Sequence, residues 1–234
     1  MESVTVYDLC QDQPYKKLLR LQQRLSALRI EGRIGNTLLL LEHSPVITIG
    51  RTPGAAAHLL VDPGTLPQQG IDVCATNRGG DITYHGPGQL VAYFILALVE
   101  RDIHRFVRQL EQSVIALLAQ HDIPGQRDPA YPGVWVAAEK ICAVGLAVRK
   151  WVTMHGIALN VRPNLAHFEL IVPCGIAHKG VTSMQKIYRA TQRPDQVTMA
   201  QIKQAYIKSF AQTFQVETTT GDPRQVWQYL EENR

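Results

Sequence analysis

The order of apolar and polar positions along the chain divides it into elements before any motif is considered. Val4 to Tyr7 reads as a short opening strand, and Pro14 to Glu31 sets Leu18, Leu21, Leu25 and Leu28 at helical spacing among Lys, Arg and Gln. That pattern is an amphipathic helix, closed by Gly32. Thr37 to Glu42 (TLLLLE) is a continuous apolar run between turn residues, and Pro45 to Gly50 (PVITIG) is a second extended run; both are assigned to a sheet. Arg51 to Gly70 collects Pro53, Gly54, Pro63, Gly64 and Pro67, an excursion over the surface rather than a linker, before Ile71 to Thr76 returns as a strand.

Leu90 to Leu98 is the next strand, and Ile103 to His121 carries Phe106, Leu110, Val114, Leu117 and Leu118 on one helical face. Pro124 to Pro132 is a polar loop. Val134 to Ala137, Ile141 to Val148 and Val152 to Val161 read as an antiparallel meander, broken at Ala138-Glu139-Lys140 and at Arg149-Lys150. Thr198 to Phe214 places Ile202, Ala205, Tyr206, Ser209 and Phe210 behind a Thr N-cap, and Pro223 to Leu230 adds a last helix. There are no internal repeats. The pattern predicts one α+β (mixed α/β) domain over residues 1–234, with a mixed sheet flanked by helices rather than a doubly wound parallel one.

Composition removes several function classes. With 45% hydrophobic and 19% charged residues among 234, the chain is not a disordered or solvating segment. Cysteines at 10, 74, 142 and 174 form no CxxC pair and no disulfide framework, which predicts a reduced, cytoplasmic chain. A formal charge of +4 is too mild for a protein that lives on nucleic acid, yet it favours an acidic partner. The N-terminus has no secretory pattern, and the longest apolar run, Leu90 to Val99, has half the ~20 residues of a membrane helix. No membrane association is expected. No exposed apolar stripe remains once the elements are assigned, which predicts a monomer.

The most unusual segment is Asn77 to Gln89, NRGGDITYHGPGQ, which gathers four glycines and Pro87 around Arg78, Thr83, Tyr84 and His85. Glycines let a ligand approach the backbone closely, and Arg and His supply directed donors; a plain glycine-rich hairpin between two strands accounts for the glycines alone. Neither GxGxxG nor GxxxxGK[ST] occurs. Lys140 reads most simply as an exposed turn lysine, with a buried lysine supporting a thiolate as the alternative. Cys174, in IVPCGI, sits between Pro173 and Gly175, where the thiol and nearby backbone N–H groups are accessible to a substrate carbonyl; an inert buried thiol is the competing reading. Cys142 and Cys74 fall in apolar strands and read as core. The eight histidines show no HxxxH or HExxH spacing, so no metal is expected. His155 falls within the last meander strand, as a core or ligand-facing side chain.

Taken in order, RGGDITYHGPGQLVAY, GVWV, EKICAVGLAV, WVTMHGIALNV, IVPCGI and VTSM closely resemble the lipoyl(octanoyl) transferase family, from about Val4 to Tyr188. The resemblance implies the catalytic fold of class II aminoacyl-tRNA synthetases and biotin protein ligases, shared with lipoate–protein ligases, with core motifs at about 30–215. It implies an acyltransferase that moves an octanoyl group from octanoyl-acyl carrier protein to a lysine of apo lipoyl domains, such as 2-oxoacid dehydrogenase E2 subunits and the glycine cleavage H protein. Cys174 matches the family's acyl-thioester nucleophile and Lys140 the lysine that tunes it. Arg78, Gly79, Gly80, Asp81, Ile82, Thr83, Tyr84 and His85 match a first substrate-binding stretch; Ala143, Val144 and Gly145 a second; Gly156, Ile157 and Ala158 a third.

A nearby ammonium raises the population of a thiolate, the attacking form, and thioester exchange needs neither nucleotide nor cofactor. Backbone N–H groups around the thiol are expected to hold the oxyanion, and Lys140 or His85 to accept the target lysine's proton. The small residues Ala143, Gly145, Gly156 and Ala158 either leave room for the acyl chain or allow close strand packing. Three alternatives remain. An ATP-dependent lipoate or biotin ligase on the same fold needs no cysteine, and its glycine motif ends in His-Asp where this chain has His85-Gly86-Pro87-Gly88-Gln89. A cysteine hydrolase needs a histidine and a third polar group to orient it, and the sequence pairs none. A non-enzymatic lipoyl-domain or acyl-carrier binding protein would not depend on the thiol.

Overall fold

In the computed structural model, which describes residues 3–194 and 197–231, the apolar runs are apolar because both of their faces are covered. In β2 (Asn36–Leu41), Leu38 and Leu40 join one core cluster while Leu39 and Leu41 join another; in β6 (Gln89–Ile95), Leu90, Ala92 and Phe94 alternate with Val91, Tyr93 and Ile95 in the same way. Side chains alternate across a strand, so a strand buried on both sides shows no polar period.

These strands lie in a nine-stranded mixed sheet. From the edge inward it runs through β12 (Thr218–Thr220), β1 (Val4–Asp8), β2, β6, β10 (Val152–Asn160), β9 (Glu139–Arg149), β8 (Val134–Val136) and β7 (Gln126–Arg127). The short β11 (Gly180–Val181) pairs with β9 in parallel at Glu139 and Lys140. β1 is parallel to both β2 and β12; β2, β6, β10, β9, β8 and β7 alternate antiparallel. One face carries α2 (Ile103–Ala119) and α4 (Met199–Phe214), packed through Phe106, Leu110, Val114, Ile202, Tyr206 and Phe210. The other carries α1 (Tyr15–Ile30) and α5 (Pro223–Glu231), packed through Leu18, Leu21, Leu25 and Val226. A Thr198–Gln201 capping box starts α4, as the Thr N-cap predicts.

The expected mixed α+β architecture, the meander and the four long helical patterns are present, with three differences. The runs TLLLLE and PVITIG belong to different sheets: β3 (Val46–Ile49) leaves the large sheet and forms a three-stranded one with β4 (Asp72–Ala75) and β5 (Ile82–His85). The glycine-rich segment Asn77 to Gln89 is therefore not a hairpin, because β5 inside it pairs with β3 and the chain then crosses to the large sheet as β6. A seven-residue helix, α3 (Met184–Ala190), follows β11, capped by Ser183. Among the described residues, no helix is long and apolar enough to cross a membrane.

Candidate active site

The glycine segment is bent onto the large sheet by specific bonds. Gly79 donates its N–H to Leu146 O in β9 at 2.8 Å, and Gly80, at φ +88°, turns the chain in a conformation that suits glycine. Gly145 in β9 is small because the loop lies on it: a Cβ there would come within 3.2 Å of Gly79 O and 3.4 Å of Arg78 Cδ. At the far end of the segment, buried Glu42 accepts the Gly88 N–H at 2.8 Å, and Gln89 reaches Asn160 Oδ1 at 2.9 Å. The small sheet is thus fastened to the large one at both ends of the segment, and a cavity of about 340 Å³ lies between them.

Fifteen of the sixteen sequence-predicted site residues line that cavity: Cys174, Lys140, Arg78 to Thr83, His85, Ala143 to Gly145 and Gly156 to Ala158. Tyr84 does not. It lies on the opposite face of β5, packs edge-on against Phe168, and bonds His167 Nδ1 through its hydroxyl at 2.8 Å. Tyr15, Tyr93 and His155 also line the cavity. Of these, only His155 was singled out by sequence; Tyr15 and Tyr93 lie far apart in the chain and look there like ordinary helix and strand aromatics.

Lys140 is not an exposed turn lysine. β9 begins at Glu139, the turn is confined to Ala137 and Ala138, and Lys140 is 8% exposed. Its stem passes Gly133, where a Cβ would meet Lys140 Cε at 3.4 Å, and its Nζ lies 4.7 Å from the centre of the Trp135 ring. Gly133 is itself held by buried Glu111 of α2, which accepts its N–H at 2.9 Å and pairs with Arg108 and Arg127. At the end of this scaffold, Lys140 Nζ donates to Cys174 Sγ at 3.2 Å.

Cys174 is partly exposed on a single turn of 3₁₀ helix, Pro173–Gly175, with φ +58°. A non-glycine residue in the left-handed region is uncommon and marks a turn held by its surroundings. Gly175 and Ile176 already donate their N–H groups to Val172 O and Pro173 O, at 3.0 and 3.1 Å. These two backbone groups are therefore already engaged within the turn. Lys140 Nζ is the donor at the sulfur. The other cysteines behave as read: Cys142 is fully buried, and burial raises its thiol far above the ordinary range; Cys74 is buried in β4 and is raised by burial as well.

In and around the cavity, buried polar groups are kept neutral or enclosed. His43 and His155 are brought down to about 4 by burial, and His85 is pushed well below its ordinary range by burial and by the nearby His43 and Arg78. His85 Nδ1 lies 3.2 Å from Gln89 Oε1, which accepts from it. Arg78 is buried, and burial lowers its pKa; its guanidinium donates to Thr48 O at 2.7 Å and Thr48 Oγ1 at 2.9 Å. Among the described residues no carboxylate stands within ion-pair distance of it, and no group of three His, Cys, Asp or Glu is placed to hold a metal ion.

The small residues divide by what lies over them. Gly156 is small for packing, since a Cβ there would sit 2.1 Å from Ala92 O and 2.6 Å from Phe94 Cδ2, whereas Ala143 and Ala158 border the space beside Lys140 and Cys174. One further group was missed by sequence. His58 Nδ1 lies 2.7 Å from Asp81 Oδ1 beside the cysteine turn, a pairing between a surface excursion and the glycine segment that no spacing reveals.

Comparison with known proteins agrees with this geometry. The family described as "Lipoyl protein ligase A/B catalytic domain" matches residues 14–211. An octanoyltransferase from Caldicellulosiruptor bescii is 52% identical over 187 residues, covering 78% of this chain and 82% of that protein. One from Desulforamulus reducens is 40% identical over 215 residues, covering 91% and 92%. In structure, lipoate-protein ligase A bound with ATP superposes with a TM-score of 0.76 at 18% identity, covering all of this chain and 96% of that one, a likeness of fold.

Proposed function

The chain belongs to the lipoyl protein ligase A/B catalytic-domain family and, within it, to the octanoyltransferases, and from that premise we propose that it transfers the octanoyl group through a thioester on Cys174. It is an acyltransferase acting on lipoyl domains; the donor in this reading is octanoyl-acyl carrier protein, and the acceptor is a lysine of an apo lipoyl domain. The observation that carries the reading is the 3.2 Å contact between Lys140 Nζ and Cys174 Sγ at the wall of an acyl-sized cavity.

The chemistry follows from that contact. An ammonium at hydrogen-bond distance stabilises negative charge on sulfur, the form that attacks. Cys174 Sγ attacks the carrier's thioester carbonyl, the Lys140 N–H groups face the developing oxyanion, and the carrier leaves as a thiol after taking a proton from the same ammonium. Arg78, buried and electrostatically coupled to Cys174, adds positive potential to a site that becomes negative during both steps. The cavity is at the small end of the ~300–1,000 Å³ range of ligand pockets, and Ala143, Val144, Ile157 and Ala158 give it apolar walls suited to a medium acyl chain.

A ligase that activates the free acid as an adenylate would use none of this sulfur chemistry. The test is transfer from octanoyl-acyl carrier protein to an apo lipoyl domain with ATP absent. Full transfer is expected, with an apparent KM for the carrier that rises with salt, because the chain carries +4 and the carrier in this reading is acidic. Transfer that requires ATP and free octanoate would overturn the reading.

A further inference from the structure

Past the cavity, the wall formed by β9 continues as an open groove toward the tip that joins β9 to β10. Gly79, Gly80 and Leu146 line both spaces, so the two are continuous, while Arg51, Ala147 and Val148 line only the groove. The backbone of Arg51 is fixed to the glycine segment: its N–H donates to Arg78 O at 3.1 Å, and the Thr52 N–H donates to Gly80 O at 3.1 Å. Its side chain is exposed, as are those of Arg101, Arg149 and Lys150, and among the described residues none of the four is in an ion pair. The same region carries three of the four exposed large hydrophobic side chains among the described residues, Val99, Ile103 and Trp151. They are gathered by the Leu98 N–H, which donates to Trp151 O at 2.7 Å, and by the Arg101 guanidinium, 5.9 Å from the Trp151 ring centre. An apolar centre with an aromatic anchor and a charged rim has the make-up of a protein-docking surface.

We propose that this groove and its rim seat the donor: the phosphopantetheine arm of the acyl carrier protein lies along β9 with its phosphodiester at Arg51, and the acidic carrier rests on Val99, Trp151, Arg149 and Lys150. The charges of the two substrates' arms decide between them. The donor's acyl group hangs on an arm that ends in a phosphodiester, an anion, whereas the acceptor presents a lysine, a cation. A groove with unpaired arginine and lysine at its wall and tip attracts the first and repels the second. The acids that flank Arg101 are engaged: Glu100 pairs with Arg105, and Asp102 accepts the Arg105 N–H at 2.9 Å as the cap of α2. Length agrees with charge. Ala143 shares a small recess with Cys174, and the groove runs from Leu146 to Val148, three to five residues further along β9, or ~10–17 Å. A phosphopantetheine arm is about as long as four to five extended residues, ~15 Å from sulfur to phosphorus.

This assignment rests on the thioester reading and gives its two halves different protein contacts. Arg51 and the tip serve only while the acyl group moves onto Cys174. The general positive charge of the chain speeds encounter with any acidic domain, but a charge-assisted bond from Arg51 to a phosphodiester is available to the donor alone.

The test compares wild type with Arg51→Gln, with Trp151→Ser and with the double variant Arg149→Glu, Lys150→Glu. Acylation of Cys174 is followed at sub-saturating octanoyl-acyl carrier protein, octanoyl-phosphopantetheine and octanoyl-pantetheine; discharge of the loaded enzyme to an apo lipoyl domain is followed separately. Equilibrium binding of octanoyl-acyl carrier protein is measured with each variant placed on Cys174→Ala. The double variant and Trp151→Ser are expected to weaken binding and acylation from the carrier at least about tenfold and to leave both small donors unchanged. Arg51→Gln is expected to slow acylation at least about fivefold from the carrier and from octanoyl-phosphopantetheine, and not from octanoyl-pantetheine, which lacks the phosphate. Discharge to the lipoyl domain stays within about twofold throughout. Carrier binding and acylation at the wild-type level in the double variant would overturn the docking surface and leave the thioester reading standing. Equal losses in acylation and discharge would also overturn it, because the surface would then serve either acidic partner, and so would a wild-type dimer that Trp151→Ser dissociates. If wild type forms no adduct, the thioester reading fails, and the binding measurement on its own upholds or overturns the surface.

Discussion

Lys140 and Cys174 meet at 3.2 Å, but they arrive from opposite kinds of structure. Lys140 is the second residue of a long strand in the middle of the large sheet, with its stem against Gly133, a neighbouring indole and a scaffold of buried ion pairs. Cys174 lies on one 3₁₀ turn beside the small sheet, partly exposed and in the left-handed region. The difference assigns separate tasks: the strand side holds a charge and the fold, and the turn side presents a reactive atom to a macromolecular partner. Loops on a rigid scaffold are where binding and chemistry concentrate.

Substitutions on the two sides are expected to separate accordingly. Cys174→Ala should lower octanoyl transfer by at least about a thousandfold while leaving the denaturation midpoint within about 0.5 kcal/mol of wild type, because a partly exposed turn side chain contributes little packing. Comparable losses of stability and rate would dissolve the division. Lys140→Ala should slow acylation by about a hundredfold to a thousandfold, measured in a single turnover, as loss of a group that supports both the thiolate and the leaving thiol. An unchanged acylation rate would remove Lys140 from the chemistry.

Acid should act on the strand side. His43 and His155 are held neutral, each brought down to about 4 by burial, whereas in the unfolded chain they titrate near ~6.5. Between those values the unfolded chain binds protons that the folded one does not, so stability is full above pH ~6.5 and falls as pH drops toward 4, by about 3 kcal/mol per histidine. A denaturant midpoint that is flat from pH 7 to 4.5 would contradict their buried, neutral state. The smallest expected effect is Gly156→Ala, which forces a methyl against the Ala92 carbonyl and the Phe94 ring and should cost about 1–3 kcal/mol of stability. A neutral effect on the midpoint would return Gly156 to an acyl-chain role.

The same division explains what could be read in the sequence. The strands of the large sheet announce themselves as apolar runs, and α1, α2 and α4 are long enough to show a helical period. The shortest elements leave no such trace: α3 has only seven residues, too few for two turns of periodicity, β7 and β11 have two residues each, and β12 is three threonines at a sheet edge. The small sheet was obscured because β5 lies inside a glycine-rich segment that looks like a turn. Lys140 was read in two ways because its neighbours in sequence resemble a hairpin tip, while its burial comes from Gly133, Trp135 and Cys174, which are brought over it by pairing with β8 and by the turn at 173–175. The resemblance to a known family supplied most of the cavity lining. It did not supply His58, whose partner Asp81 is reached only when a surface excursion folds back over the glycine segment.

The central claim is a covalent intermediate on the turn side, and its most direct measurement is the intact mass of the protein after mixing with octanoyl-acyl carrier protein without ATP, followed by peptide mapping. The account predicts one added octanoyl group, located on Cys174 and lost when an apo lipoyl domain is supplied. Complete acyl transfer by Cys174→Ala, or an adduct on any other residue that turns over at the catalytic rate, would contradict it.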